Sequence, residues 1–210
     1  MTTMRDPGPL LMWTIDETAG FDAAWVRFEG TRLIAEGRAA GLAPVPFWTA
    51  YSVETGEAFV TSRVRVESRW ANGSATLDLR RDEGGWTVNG EPRDDLVAAL
   101  DCDLGACPLT NTMPVLRHDL LNRPGDHLFT MAFIEIPSLR VVPSLQRYTH
   151  VTSGRPSGAV VKYRSGTFES NLVFDADGFV LDYPQLGRRV IPGPPDPRIR
   201  SEGPGSTGPG

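Results

Sequence analysis

At 210 residues with 40% hydrophobic content, the chain can bury one full core, so a single domain over residues 1–191 is expected. A formal net charge of −5, with Lys162 the lone lysine and no Lys/Arg block, excludes the electrostatic footprint of a nucleic-acid-binding protein. No run of about 18 apolar residues could span a bilayer as a helix, and the N-terminus has only the patch Leu10 to Met12 where a signal peptide needs an apolar core, so a soluble cytoplasmic setting is expected.

In chain order, the first clear elements are Ala24 to Glu29 and Arg32 to Glu36, separated by Gly30 and Thr31 as in a hairpin. Phe47 to Val53 reads as a strand. Val60 to Trp70 is the best alternating stretch: Val60, Val64, Val66 and Trp70 share one face, while Thr61, Arg63, Arg65, Glu67 and Arg69 share the other. Asn72-Gly73 then predicts a two-residue hairpin turn into Ala75, Leu77 and Leu79. Gly84-Gly85 and Asn89-Gly90 repeat the signal around Trp86 and Val88, which makes an antiparallel meander.

The stretch Asp101 to His118 joins an extended run from Leu96 to a helix start. Alternation places the Asp101 and Asp103 carboxylates on one face. Gly105 and Pro108 break the strand; Thr110, Asn111 and Thr112 offer capping oxygens, and Pro114 is tolerated in a first turn. The spacing predicts a helix from about Thr112 to Leu121, with Met113, Leu116, Leu120 and Leu121 forming an apolar stripe. Arg117 falls inside that stripe. Its guanidinium cannot lose its charge, so it reaches water or meets a carboxylate, and Asp101 or Asp103 is nearest in sequence.

Farther on, Leu128 to Ile136 is apolar on both faces, as in a strand covered on both sides. Pro137 and Pro143 bracket a short strand, and Gln146 to Val151, Ala159 to Arg164, Thr167 to Phe174 and Gly178 to Tyr183 extend a β-rich second half. The Pro/Gly-rich segment 192–210 has too few apolar residues to offset its ordering entropy and is expected to be disordered. The fold class that follows is mainly β, an antiparallel sheet rolled around a single central α-helix.

For catalysis, the sequence has no Gly-x-Ser-x-Gly elbow, no His-Glu-x-x-His, no phosphate loop and no Gly-x-Gly-x-x-Gly, so no cofactor or metal is expected. An enzyme, hydrolase or isomerase, would have to use Asp101 and Asp103 as paired carboxylates, with His118 as a base. His118 falls away from the apolar stripe and reads as a satisfied histidine. Asp175, Asp177 and Gly178 superficially resemble a calcium loop, but the bidentate Glu is missing and a turn between strands explains them. Asn72-Gly73-Ser74 matches a glycosylation sequon that the hairpin already explains. Cys102 and Cys107 read as small core residues. A protein-interaction module with an exposed sheet edge is the remaining alternative.

The run Asp101-Cys102-Asp103-Leu104-Gly105, then Pro108 and Thr110-Asn111-Thr112-Met113-Pro114, resembles the signature of a bacterial glycolipid-binding protein family. Further matches are Thr61 to Arg63, Trp86 with Gly90, Gln146 with Tyr148, Tyr163-Arg164, and Asp175 to Val180 leading to Tyr183-Pro184, so the resemblance covers roughly Trp25 to Arg189. The chain departs from that pattern at His118, where a second Arg is usual, and at Gln185, where Gly is usual. The resemblance implies a spiral β-roll and a non-catalytic role in binding or carrying a glycolipid or similar amphiphile, with a homo-oligomer left open. Such a ligand needs an apolar cavity with fixed polar groups at its mouth. The candidates are Arg117, Tyr163, Arg164 and Tyr183 at the mouth, with Asp103 and Asn111 as sugar hydrogen-bond partners.

Overall fold

The structure is a computed structural model that describes residues 6–154 and 158–193, so the predicted disordered tail falls almost wholly outside the described residues. Leu11, Trp13 and Ile15 alternate with exposed neighbours, and this pattern makes Leu10–Ile15 the first strand, β1. Gly20–Glu29 (β2), Arg32–Gly41 (β3), Phe47–Thr55 (β4), Thr61–Trp70 (β5), Gly73–Asp82 (β6), Gly85–Val88 (β7) and Glu91–Pro92 (β8) follow as a meander. Ala99–Leu104 (β9) leads to the helix Thr112–Arg117 (α1). Then come Asp126–Ile134 (β10), Val141–Thr152 (β11), Ala159–Ser165 (β12), Phe168–Phe174 (β13), Val180–Tyr183 (β14) and Gly187–Arg189 (β15).

These 15 strands form one sheet in the order β8-β7-β6-β5-β4-β3-β2-β1-β15-β14-β13-β12-β11-β10-β9. The first and last strands pair, Trp13 opposite Arg189, which joins the two meanders at mid-sheet. All pairings are antiparallel except β9 with β10, where the chain crosses back through α1 before re-entering the sheet. That parallel pair departs from the purely antiparallel expectation, because a helical crossover returns the next strand in the same direction.

The sheet is rolled but its backbone ladder does not close. Side chains bridge the gap instead. The Cys102 amide of edge strand β9 donates to Thr61 Oγ1 (3.0 Å), and the Trp86 indole N–H donates to the Ala99 carbonyl (2.9 Å). Unpaired edge groups thereby gain partners without a further strand. Thr61 reaches β9 because a register shift at Thr55 turns it inward, whereas strict alternation assigns it to the wet face.

Two apolar clusters fill the roll, one from the N-terminal meander and one from β11 to β14. The helix α1 sits at their joint, Met113 packing into the first and Val115 into the second. It is shorter than predicted, six residues, because Asp119 adopts φ +53 and ends the right-handed path. The expected side-chain caps are absent: Asn111 is the N-cap residue but makes no capping hydrogen bond, and Thr112 Oγ1 has no partner among the described residues. Capping is supplanted by a 3-10 turn, Pro108–Asn111, that runs directly into the helix.

Two turn expectations shift. Trp70 pairs with Gly73, so the β5–β6 turn is Ala71-Asn72, and Gly73 is needed because a Cβ there would collide with the Trp70 indole. Pro143 lies inside β11 instead of bounding it, at a stretch where β12 has not yet begun to pair and no amide is required on that side. Asn89 and Gly90, φ +52 and +89, do form the predicted tight turn. Gln185 occupies φ +75, the left-handed region that favours glycine.

Candidate functional site

A cavity of about 720 Å³ opens at one end of the roll. Its floor is the β9–α1 connection, from Asp103 to Cys107 with Asn111; β10 and β11 contribute Phe133, Ser144 and Gln146; β12 to β14 contribute Tyr163, Ser165, Phe168 and Tyr183. Glu17, Thr18, Ala43 and Pro44 from two N-terminal turns form the rim. Residues distant in sequence meet here because the roll brings the start of β1–β2 beside the end of β14.

Asp103 anchors the polar wall. Gln146 Nε2 donates to one carboxylate oxygen (2.6 Å) and Thr110 Oγ1 to the other (3.0 Å). Burial raises its pKa, against which both hydrogen bonds pull. The Tyr148 hydroxyl, wholly buried, lies 2.9 Å from Asn111 Oδ1 and 3.2 Å from Gln146 Oε1, so it holds both amides in place. Tyr148→Phe is therefore expected to remove the one hydroxyl proton that these two buried acceptors share and lower stability by about 1–2 kcal/mol. The urea midpoint measures this, and an unchanged midpoint refutes it.

Aromatic rings line the adjoining wall, since β12 pairs with β11 and Tyr163 lies opposite Tyr148 in that register. Tyr163 makes edge-on contacts with Tyr148 (5.3 Å between centroids), Tyr183 (5.9 Å) and Phe168 (6.1 Å). Burial pushes the Tyr163 and Tyr183 phenols well up, so both remain neutral donors.

Of the residues singled out from sequence, Asp103, Asn111, Tyr163 and Tyr183 come together around this cavity. Arg117 and Arg164 do not. Arg117 grips Asp101, Nη1 to Oδ1 at 2.6 Å with Nη2 on the other oxygen, in a bidentate pair whose side chains are 9% and 1% exposed. Arg164 follows Tyr163 in a strand and so faces outward, where it pairs with Glu169. Gln146, Ser144 and Phe133 are site residues that their own alternation in β10 and β11 could have nominated. The rim residues carry no local signal at all.

The enzyme candidates fare unevenly. Asp101 and Asp103 share a face, as alternation requires, but each is engaged by different partners. His118 follows α1 and packs against His127 (4.3 Å between centroids) and Phe129, away from the cavity; burial, with smaller contributions from His127 and Arg117, lowers its pKa. Cys102 and Cys107 are both free and buried, and burial pushes the Cys102 thiol up to about 12. Asp175 accepts from the amides of Asp177 (3.0 Å) and Phe179 (2.8 Å) and pairs with Arg189, the geometry of a turn. Among the described residues no group of three His, Cys, Asp or Glu side chains could hold a metal ion, and no helix is long and apolar enough to cross a membrane.

The model of the Glycolipid_bind family, described as "Putative glycolipid-binding", matches residues 10–189. A crystal structure of a DUF1089 family protein from Pseudomonas aeruginosa, determined at 1.80 Å resolution, has a TM-score of 0.66 against this chain at 23% identity. The match covers 90% of this chain and 97% of that one, which shows a shared fold. No curated protein matches.

Proposed function

Given that the chain belongs to the glycolipid-binding family, we propose that it binds a glycolipid or similar amphiphile in the cavity at the end of the roll and carries it without chemical change. The observation that supports this is the cavity itself. Its volume lies within the range of roughly 300–1,000 Å³ typical of sites for small organic ligands, and its lining sets aromatic rings beside fixed hydrogen-bonding groups. Tyr163, Tyr183 and Phe168 offer apolar surface to a chain or to a ring face; Asn111 and Gln146, oriented by Tyr148, and Asp103, oriented by Gln146 and Thr110, offer polar atoms. Arg117 acts at one remove, holding the strand that carries Asp103 against α1.

Solvent extraction of the purified protein should yield a bound lipid, and an alkyl glycoside should bind in titration calorimetry. Ser165→Trp places an indole in the cavity from a position half-open to it, 3.4 Å from Ser144 Oγ. We expect that variant to lose at least about tenfold in affinity while melting near the wild-type temperature. No extracted lipid and no glycoside binding would sink the reading.

A second reading rests on Asp103, a cavity carboxyl with a raised pKa, acting as a general acid in a hydrolase or isomerase. It requires turnover that disappears in Asp103→Asn.

A further inference from the structure

Resting on the assignment of this cavity to an amphiphile, we propose that the head group it accepts is neutral and hydroxyl-rich: a glycosyl group without phosphate or any other fixed negative charge. The charged residues lining the cavity are Glu17, Asp103 and Glu135, and among the described residues no Arg, Lys or His lines it. The guanidiniums near its walls in sequence do not offer a free cation to it. Arg117 is held by Asp101, Arg147 by Asp126 and Arg164 by Glu169 on the outer face, while Arg140, 68% exposed, is taken up by the lining Glu135.

A phosphate entering this cavity would lose its hydration and meet a carboxyl instead of a cation. Burying an anion without a paired charge or a set of N–H donors is strongly unfavourable, and a like charge nearby adds to the cost in a medium less polar than water. A sugar hydroxyl has no such difficulty. It donates to the Asp103 carboxyl, which has lone pairs left after accepting from Gln146 and Thr110, and it can accept from the Tyr163 or Tyr183 phenol. Ser144 and Ser165, side by side on the wall, can do either. The apolar face of a pyranose ring fits against Tyr163 and Phe168, whose rings meet edge to face.

Calorimetric titration of the full chain with octyl β-D-glucoside and with octyl phosphate, both below their micellar concentrations, compares two probes that share one chain and differ in the head group. The glucoside is expected to bind at least roughly tenfold tighter, with that binding lost in Ser165→Trp. Asp103→Asn should narrow the gap by about threefold or more by removing the like charge. Should that variant not fold, the exposed Glu17→Gln is expected to narrow it in the same direction. Equal binding of the two probes, or tighter binding of the phosphate, overturns the head-group assignment and leaves the amphiphile site standing. Failure of both probes to bind overturns both.

Discussion

Arg117→Met is expected to destabilise the fold by about 3–5 kcal/mol, read as a fall in the urea midpoint at unchanged slope. The substitution keeps most of the side-chain volume but strands the Asp101 carboxylate, which is 1% exposed, at the back of β9. Burial drives that carboxyl's pKa upward and the guanidinium pulls it back, so once the guanidinium is gone the burial cost is opposed only by the smaller pull of Arg81. Arg117 also lies 5.7 Å from the Phe129 ring centroid, a cation–π contact that methionine replaces only in part. The contrast with the surface is sharp: Arg65 and Glu54, 48% and 44% exposed, form a pair whose loss should cost under about 1 kcal/mol. If the charge left behind is the cause, Asp101→Leu combined with Arg117→Met should recover most of the loss, since an apolar pair of similar volume needs no partner. A single variant as stable as the parent would refute the account.

Asp22 is expected to make stability fall as pH rises. Its side chain is wholly buried on β2, one oxygen accepts from the Tyr51 hydroxyl (2.8 Å), and the other has no partner among the described residues. Burial raises the pKa from 3.8 to about 7, with the Tyr51 and Cys107 hydrogen bonds pulling the other way. The folded chain therefore holds a proton that the unfolded chain has already released between pH 4 and 7. Stability is fully present below that window and lost across it, by as much as about 4 kcal/mol at pH 8. Asp103, also raised by burial, acts in the same direction, whereas His118, whose pKa is lowered, costs stability on the acid side of its ordinary value of 6.5. The informative quantity is thus the difference between wild type and Asp22→Asn at pH 5, 6.5 and 8. Asparagine keeps the acceptor for Tyr51 and carries no charge, so its curve should be flatter, and parallel curves would exclude this role for Asp22.

The strands with clean alternation were legible from local pattern. Val64 and Val66 in β5, Leu77 and Leu79 in β6, and the Asn89-Gly90 turn all lie where the pattern places them. Strand β1 escaped notice because six residues hold only three inward positions, too few to stand out before its partners are known. The helix was readable in its start at Thr112, but its end at Arg117, with His118 leaving helical geometry and Asp119 left-handed behind it, is one for which no local residue argues. Gly37 illustrates the same limit. Inside β3 it looks like a weak strand residue, yet a Cβ there would collide with the Tyr51 ring, which crosses the strand to reach Asp22.

The site divides along the same line. Asp103 and Asn111 sit in one contiguous motif, and Arg117 was left by the sequence with water, Asp101 or Asp103 as its outlet, among which the fold selects Asp101. Arg164 as a mouth residue was contrary to the sequence's own evidence of alternation, since Tyr163 beside it already faces inward.

By itself, then, the chain specified its strand-rich class, its tight turns and an Arg117 that must reach either water or a carboxylate, because each follows from spacing within a few residues. Only the tertiary structure decided that β1 pairs with β15, that Thr61 and Trp86 span the open ladder, and that Glu17, Gln146 and Tyr183 share a cavity that no cationic side chain among the described residues lines. Those relations join residues dozens of positions apart, and they arise from the twist and roll of a whole sheet, a property that no short window of sequence contains.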